Sequence, residues 1–433
     1  MSEQPIPTAG FGENEDLHAF EQEFSEVDNS RLLDIRPLPR VSISAFCVSP
    51  NIQATVEAIG HDRRLSRVHM KSVSGGIGSA IEFFTDTPTP NLILLEVGDD
   101  YEQLIRDLDR LAEVCDVGTK VVLIGHINDV QMYRDLVRRG VSEYIVAPVG
   151  QIELIQALSD LFMSPETDPL GKTIAFIGAK GGVGSSTIAH NIGWSISSSN
   201  QQDVIITDFD IAFGTAGLDF NEDPPQTIAD AIKAAERLDD QYLERLLTKC
   251  SERLHLLTAP AVLEHTSDFD GDFFNPMVEL LQNSAPYTVL DLPHIWSEWN
   301  KRLLLGADDI VLTAEPDLAN LRNAKNILDM IANERHGERQ PFLIINKCGM
   351  QKRPEIKPKD FAAALERDDY IEIPFDAPTF GQAANNGQMI SELGSSSKTA
   401  DLFDKLASDI TGRSEVVKTS KSLFAPLLGK LKK

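Results

Sequence analysis

Ten residues constrain this chain more than any others: Gly178-Ala179-Lys180-Gly181-Gly182-Val183-Gly184-Ser185-Ser186-Thr187. They lie between an apolar run, Thr173-Ile174-Ala175-Phe176-Ile177, and a helical pattern from Thr187 to Ile196. A glycine-rich turn between a buried strand and a helix lets backbone N–H groups wrap phosphate oxygens, and the helix N-terminus adds its positive dipole end. The usual pattern is G-x-x-x-x-G-K-[ST], with the lysine on the β/γ-phosphates and the hydroxyl on Mg²⁺. Here Ser185 occupies the lysine slot, and a different lysine, Lys180, stands early in the loop.

Composition narrows the setting. A chain of 433 residues is long enough for two or three domains. Its formal net charge of −26 leaves no global basic surface for neutralising DNA phosphates, so nucleic acid is not an expected partner. Cys47, Cys115, Cys250 and Cys348 are far apart and show no metal-ligand spacing, as expected of free thiols in a reducing compartment. Residues 1–30 carry acids and no Lys or Arg, and no apolar run reaches the roughly 18–20 residues of a membrane span. A cytoplasmic location is expected.

Along the chain, residues 1–40 mix acids with Pro5, Pro7, Pro37 and Pro39 and are expected to form a disordered arm. Residues 41–164 alternate strand-like and helix-like segments: strands at 41–48, 91–97, 120–124 and 143–146, helices at 51–59, 101–115, 130–139 and 152–162. That alternation argues a doubly wound α/β domain of flavodoxin type, and it resembles a response-regulator receiver domain. Its chemistry departs from a receiver: Glu96 stands at the phosphoacceptor position, Cys47-Val48-Ser49 where an acidic pair belongs, and Ala147 in place of the lysine. Phosphotransfer is therefore not expected; Glu96 is either a fixed negative charge in a docking module or a polar strand end. Residues 165–171 read as a linker, 172–412 as a larger α/β domain with a mostly parallel sheet, and 413–433 as a basic tail. In that tail Leu423, Phe424, Leu427, Leu428 and Leu431 recur at helical spacing beside lysines, which allows either membrane-surface or partner docking, or a frayed end.

The K-G-G-x-G loop resembles that of the deviant Walker A ATPases, the MinD/ParA class. By that resemblance the fold is a P-loop NTPase of MinD/ParA type and the cofactors are ATP and Mg²⁺. Gly181, Gly182, Val183, Gly184, Ser185, Ser186 and Thr187 hold the phosphates, and Lys180 reaches across a homodimer to the partner's nucleotide. Asp203-Val-Ile-Ile-Thr-Asp208-Phe-Asp210 then places Asp210 by the attacking water, with Asp208 either sharing that role or holding the following loop. Tyr287-Thr-Val-Leu-Asp291 is a Walker B-like strand, Asp291 meeting Mg²⁺ through water and Ser186 directly. Asn346 and Lys347, after Phe342-Leu-Ile-Ile, and Pro374-Phe-Asp376 are implied at the adenine, with Asn385-Asn386-Gly387 completing the base pocket.

The receiver-like segment, the K-G-G-V-G-S-S-T loop and the runs 315–325 and 373–387 together resemble CpaE/TadZ proteins of Tad (Flp) pilus assembly. This implies a positioning protein for pilus assembly and secretion components, often at a cell pole and peripheral to the inner membrane. Without a lysine at Ser185, turnover is expected to be slow, with Lys180 of a partner subunit supplying part of the charge. The alternatives are a ParA/MinD-like partition or division-site ATPase, and a dimeric scaffold that does not hydrolyse ATP.

Overall fold

A computed structural model describes residues 35, 37–162, 170–261, 273–335, 338–394 and 398–412. The acidic arm to residue 34, residues 165–169 of the linker and the basic tail over 413–433 lie outside the described residues. Two compact units are formed, Met1–Asp168 with Arg335–Arg339, and Pro169–Glu334 with Gln340–Lys433.

The first unit runs β1 (Ser42–Cys47), α1 (Pro50–Ile59), β2 (His69–Ser74), α2 (Ile77–Thr85), β3 (Leu92–Glu96), α3 (Tyr101–Val114), β4 (Lys120–Gly125), α4 (Val130–Arg138), β5 (Glu143–Val146) and α5 (Gln151–Phe162). Its five strands are parallel in the order β2-β1-β3-β4-β5, the flavodoxin arrangement. The central strand β3, Leu-Ile-Leu-Leu-Glu, is buried throughout, as a strand covered on both faces must be. Ile52, Val56, Leu154 and Leu158 cover one face from α1 and α5, and Ala80, Phe84, Leu104 and Leu136 cover the other from α2, α3 and α4. Asp100 and Asp129 start α3 and α4 by accepting from the N–H groups of Gln103 and Met132.

Strand β2 and helix α2 were not anticipated, because His-Met-Lys-Ser-Val-Ser carries no apolar alternation; β2 is a mostly exposed edge strand held by its ladder to β1. The acidic arm was drawn to residue 40, yet Ile35 and Leu38 are buried in the core and Leu38 N–H donates to the Arg64 carbonyl at 2.8 Å. Prolines on either side of Leu38 disguised two core residues as linker.

The second unit contains β6 (Lys172–Gly178), α6 (Ser185–Ser198), β7 (Val204–Asp208), α7 (Ala216–Asp219), α8 (Ile228–Lys233), α9 (Asp240–Leu246), β8 (Thr248–Lys249), β9 (Leu254–Leu257), α10 (Phe274–Ser284), β10 (Tyr287–Asp291), α11 (Glu298–Gly306), β11 (Asp309–Ala314), α12 (Leu318–Glu334), β12 (Phe342–Cys348), α13 (Pro358–Ala364), β13 (Ile371–Pro374), α14 (Ala377–Asn386) and α15 (Lys398–Thr411). The sheet order is β13-β12-β11-β6-β10-β7-β9-β8, parallel except for the short β8–β9 pair. The chain leaves β6 toward β7 on one side, while β11 to β13 lie on the other. The C-terminal end of β6 is thus a topological switch point, where open α/β sheets bind ligands.

Helix α6 seats directly on this sheet through Ile188, Ala189, Ile192 and Ile196, and Phe403, Leu406 and Ile410 of α15 close the same cluster. Gly193 permits the approach: a Cβ there would stand 2.6 Å from Ile206 Cδ1. Gly171, read as linker, is buried beside α10 and donates its N–H to the Gln282 carbonyl at 2.8 Å.

Candidate nucleotide site

Gly182 and Gly184 adopt φ of 81° and 88°, the left-handed region that favours glycine. Around them the loop's carbonyls are drawn away by side chains. Asn346 Nδ2 donates to the Val183 carbonyl at 2.8 Å, Asn323 Nδ2 to Ala179 at 2.9 Å, and Lys347 Nζ to Gly182 at 2.6 Å. His294 Nδ1 stands 3.0 Å from the Gly178 carbonyl. Carbonyl oxygens would repel a phosphate, so engaging them leaves the N–H edges of the loop and of α6 for an anion. Lys347 is itself oriented by Glu315 at 2.7 Å, which also pairs with Arg353 at 2.7 Å, and its φ of 56° is a strained value for a side-chain-bearing residue.

The remaining phosphate-side residues divide by partner. Lys180 is half exposed and faces Asp317 of its own chain at 3.9 Å. Ser185 Oγ is buried without a hydrogen-bond partner among the described residues, and Ser186 and Thr187 follow it in the first turn of α6. Asp291 ends β10 in register with Phe176 of β6 and Asp208 of β7, which sets it beside the loop. Its Oδ1 is likewise buried and unpartnered among the described residues.

Asp208 takes the loop-holding role: its Oδ1 accepts from Asp210 N–H at 3.0 Å and its Oδ2 from Ala216 N–H at 3.1 Å. Gly214 allows this, since a Cβ there would stand 2.3 Å from Asp208 Oδ2. Burial, and then the Asp291 charge, push the Asp208 carboxyl up to about 7. Asp210 accepts from Phe213 N–H at 3.0 Å and is also raised, chiefly by burial.

His190 was not singled out from the sequence, where a lone histidine in a helix has no visible partner. It is fully buried, with Nδ1 2.8 Å from Asp219 Oδ2 and Nε2 3.4 Å from Asp291 Oδ2. The second contact is a charge contact rather than a well-formed hydrogen bond. Burial alone would lower the imidazole; the hydrogen bond to Asp219 and the charges of Asp219 and Asp291 outweigh it and hold the pKa up to about 10.

A cavity of about 340 Å³ opens beside the loop. Gly182, Gly184, Thr187, Asn346, Lys347, Pro374 and Asp376 line it, so seven sequence-derived residues converge there. The amide of Asn346 spends one donor on Val183 and one acceptor on Lys347 N–H, leaving one of each for a base edge. Asp376 caps α14 by accepting from Thr379 N–H at 3.1 Å. Asn385, Asn386 and Gly387, expected to complete the pocket, do not line it. They end α14, and a Cβ on Gly387 would meet the Leu218 carbonyl at 2.9 Å. Phe375, within the Pro374-Phe-Asp376 run, Gln388 and Met389, in the loop that follows Gly387, and Phe380, which the sequence did not point to, form that wall. Lys180, Gly181, Val183, Ser185, Ser186, Asp210 and Asp291 lie outside the cavity lining, with the loop and strand ends of the phosphate side. A glycine cradle freed of its carbonyls, an orphaned carboxylate oxygen at the neighbouring strand end and an apolar cavity with amide capacity fit a nucleoside phosphate with Mg²⁺. Among the described residues no helix is long and apolar enough to cross a membrane.

No protein-family model matches the chain. The crystal structure of the pilus assembly protein CpaE from Caulobacter crescentus CB15 is 42% identical, with 30% of this chain covering 98% of that one at a TM-score of 0.29. A ParA family ATPase from Chlorobium tepidum TLS is 22% identical over 55% of this chain and 98% of its own, with a TM-score of 0.50, a likeness of fold. Septum site-determining protein MinD of Bacillus subtilis (strain 168) is 21% identical over 266 residues, 61% of this chain and 97% of the relative.

Proposed function

Because this chain belongs to the CpaE/TadZ family of pilus assembly proteins, within the MinD/ParA ATPase class, we propose that it is a nucleotide-switched positioning protein for Tad (Flp) pilus assembly and secretion machinery. It binds ATP with Mg²⁺, dimerises in that state and hydrolyses ATP slowly. One observation carries this reading: the loop keeps its anion cradle but has Ser185, a buried hydroxyl, at the position where a cation normally stands, its one lysine being Lys180 at the start of the loop.

The residues have separable tasks. Gly181 to Thr187 orient the phosphates through backbone N–H groups. Ser186 and Asp291 would hold Mg²⁺, which when bound would supply charge neutralisation to the phosphates. Asp210 positions the attacking water, and Asp208 fixes the loop that carries Asp210. Asn346, Pro374 and Asp376 orient the base, and Lys347 braces the loop at Gly182. Lys180 serves the nucleotide of the second subunit in trans, so turnover requires the dimer. Exposed Phe213, Leu218, Ile295, Trp296 and Leu318 follow β7, β10 and β11 at this edge of the sheet and supply the apolar surface of that dimer. The dimer acts in the cytoplasm, at a cell pole or the inner-membrane surface, with residues 413–433 as the membrane or partner contact.

The test measures ATP hydrolysis and sedimentation on one purified sample, wild type beside Asp210→Ala. Slow hydrolysis lost in the variant, with an ATP-stabilised dimer, is expected. A dimer indifferent to nucleotide and without hydrolysis would instead make the fold a scaffold.

A further inference from the structure

We propose that His190 is a positioning residue for Asp291, tying the metal-side carboxylate to α7 so that the end of β10 and the segment after Asp210 hold one arrangement. The proposal rests on reading the site as one for a nucleotide with Mg²⁺.

The geometry is a closed ring of contacts. Asp291 and Asp208 are register partners at the ends of β10 and β7. Asp208 Oδ2 accepts from Ala216 N–H, the first residue of α7. Asp219, the last residue of α7, faces His190 Nδ1 at 2.8 Å, and His190 Nε2 returns to Asp291 Oδ2 at 3.4 Å. Thr215 Oγ1 donates to the same Asp219 oxygen at 3.2 Å, and Phe220 packs its ring 5.7 Å from the imidazole.

A histidine used only for packing has no need of two carboxylates from two elements. Here one ring nitrogen serves each, and the imidazole is inaccessible to solvent. Because His190 faces Oδ2, the remaining oxygen Oδ1 is the one left without a partner among the described residues, and it is the one that would be available to the metal side. Asp219 also lines the base-side cavity. The ring therefore joins the cavity wall to the metal side through two side chains, His190 and Asp219.

Two substitutions divide the ring. His190→Asn retains a donor toward Asp219 and loses the reach to Asp291; His190→Gln does the reverse. Binding of a fluorescent ATP analogue to the full-length protein is titrated with Mg²⁺. The expected result for His190→Asn is a rise of about 10-fold in the Mg²⁺ midpoint, the low end of the cost of losing a partner of a metal-site group, because Asp291 is read as meeting the metal through water; metal-free nucleotide affinity stays at the wild-type value, since His190 and Asp291 act on the metal side. Asp219→Asn shifts the midpoint the same way, and His190→Asn adds nothing to Asp291→Asn.

Folded His190→Asn with a wild-type midpoint, or effects of His190→Asn and Asp291→Asn that simply add, would overturn the proposal. Should both His190 variants fail to fold, Asp219→Asn decides, and an unchanged midpoint there overturns it. A wild type that binds the analogue with no dependence on Mg²⁺ defeats the underlying site reading instead, so the two failures are distinct.

Discussion

Ser185 Oγ is buried at the first position of α6, where the common form of this loop carries a lysine. Single preorganised donors to a developing charge are worth about 10²–10³ in turnover, so Ser185→Lys is expected to raise phosphate release by about tenfold or more. Steady-state phosphate release checks this, and an unchanged rate would place the slow step outside chemistry. A second side-chain prediction concerns Gly214, whose Cβ would stand 2.3 Å from Asp208 Oδ2. Gly214→Ala should break the Asp208–Ala216 bond and cost about 1–3 kcal/mol by overpacking, read as a lowered thermal midpoint. Individual residues were legible where their type and spacing encode chemistry: the glycine loop, Asp291, Asn346 and Asp376 are all found at one edge of the sheet. His190 was not, because its meaning depends on Asp219 and Asp291, which only the folded chain brings to it.

Helix α6 and strand β7 meet with no space to spare at Gly193, where a Cβ would stand 2.6 Å from Ile206 Cδ1. Gly193→Ala should lower stability by about 1–3 kcal/mol despite its better helix propensity. Adding Ile206→Val, which removes Cδ1 but keeps Cγ1 at 2.9 Å, should recover part of that loss; urea denaturation of the single and double variants measures it. No recovery would mean the helix adjusts elsewhere. The buried strands were readable as short apolar runs, since parallel strands covered on both faces leave no polar alternation. Strand β2 was unreadable for the converse reason: its side chains are largely exposed, and the ladder to β1, not its composition, makes it a strand. Helix α7 is four residues long and equally silent in sequence; its place is set by Asp208 and Asp219.

For the whole molecule, the exposed apolar residues at the nucleotide edge carry a prediction of assembly. Leu218→Asp and Trp296→Asp are expected to abolish ATP-dependent dimerisation while leaving the monomer's nucleotide binding and melting temperature near wild type; analytical sedimentation with and without ATP reads the outcome. A dimer that persists in both variants would move the interface elsewhere. The first unit supplies a different kind of consequence. Glu96 lies buried at the end of β3, and its Oε2 accepts from Val48 N–H at 2.6 Å and Ser49 N–H at 2.7 Å. The sequence leaves two readings of this residue open, a fixed charge in a docking module or a polar strand end; its carboxylate is turned inward onto two backbone N–H groups. Glu96→Ala should leave two N–H groups unpaired and destabilise this unit by about 1–3 kcal/mol, visible as a lowered unfolding midpoint. The loop ahead of α1 thus already holds its anion, supplied by the chain itself. A unit wired in this way has no input line: with its anion built in it stores no message, and whatever timing the protein keeps must be written elsewhere in the chain.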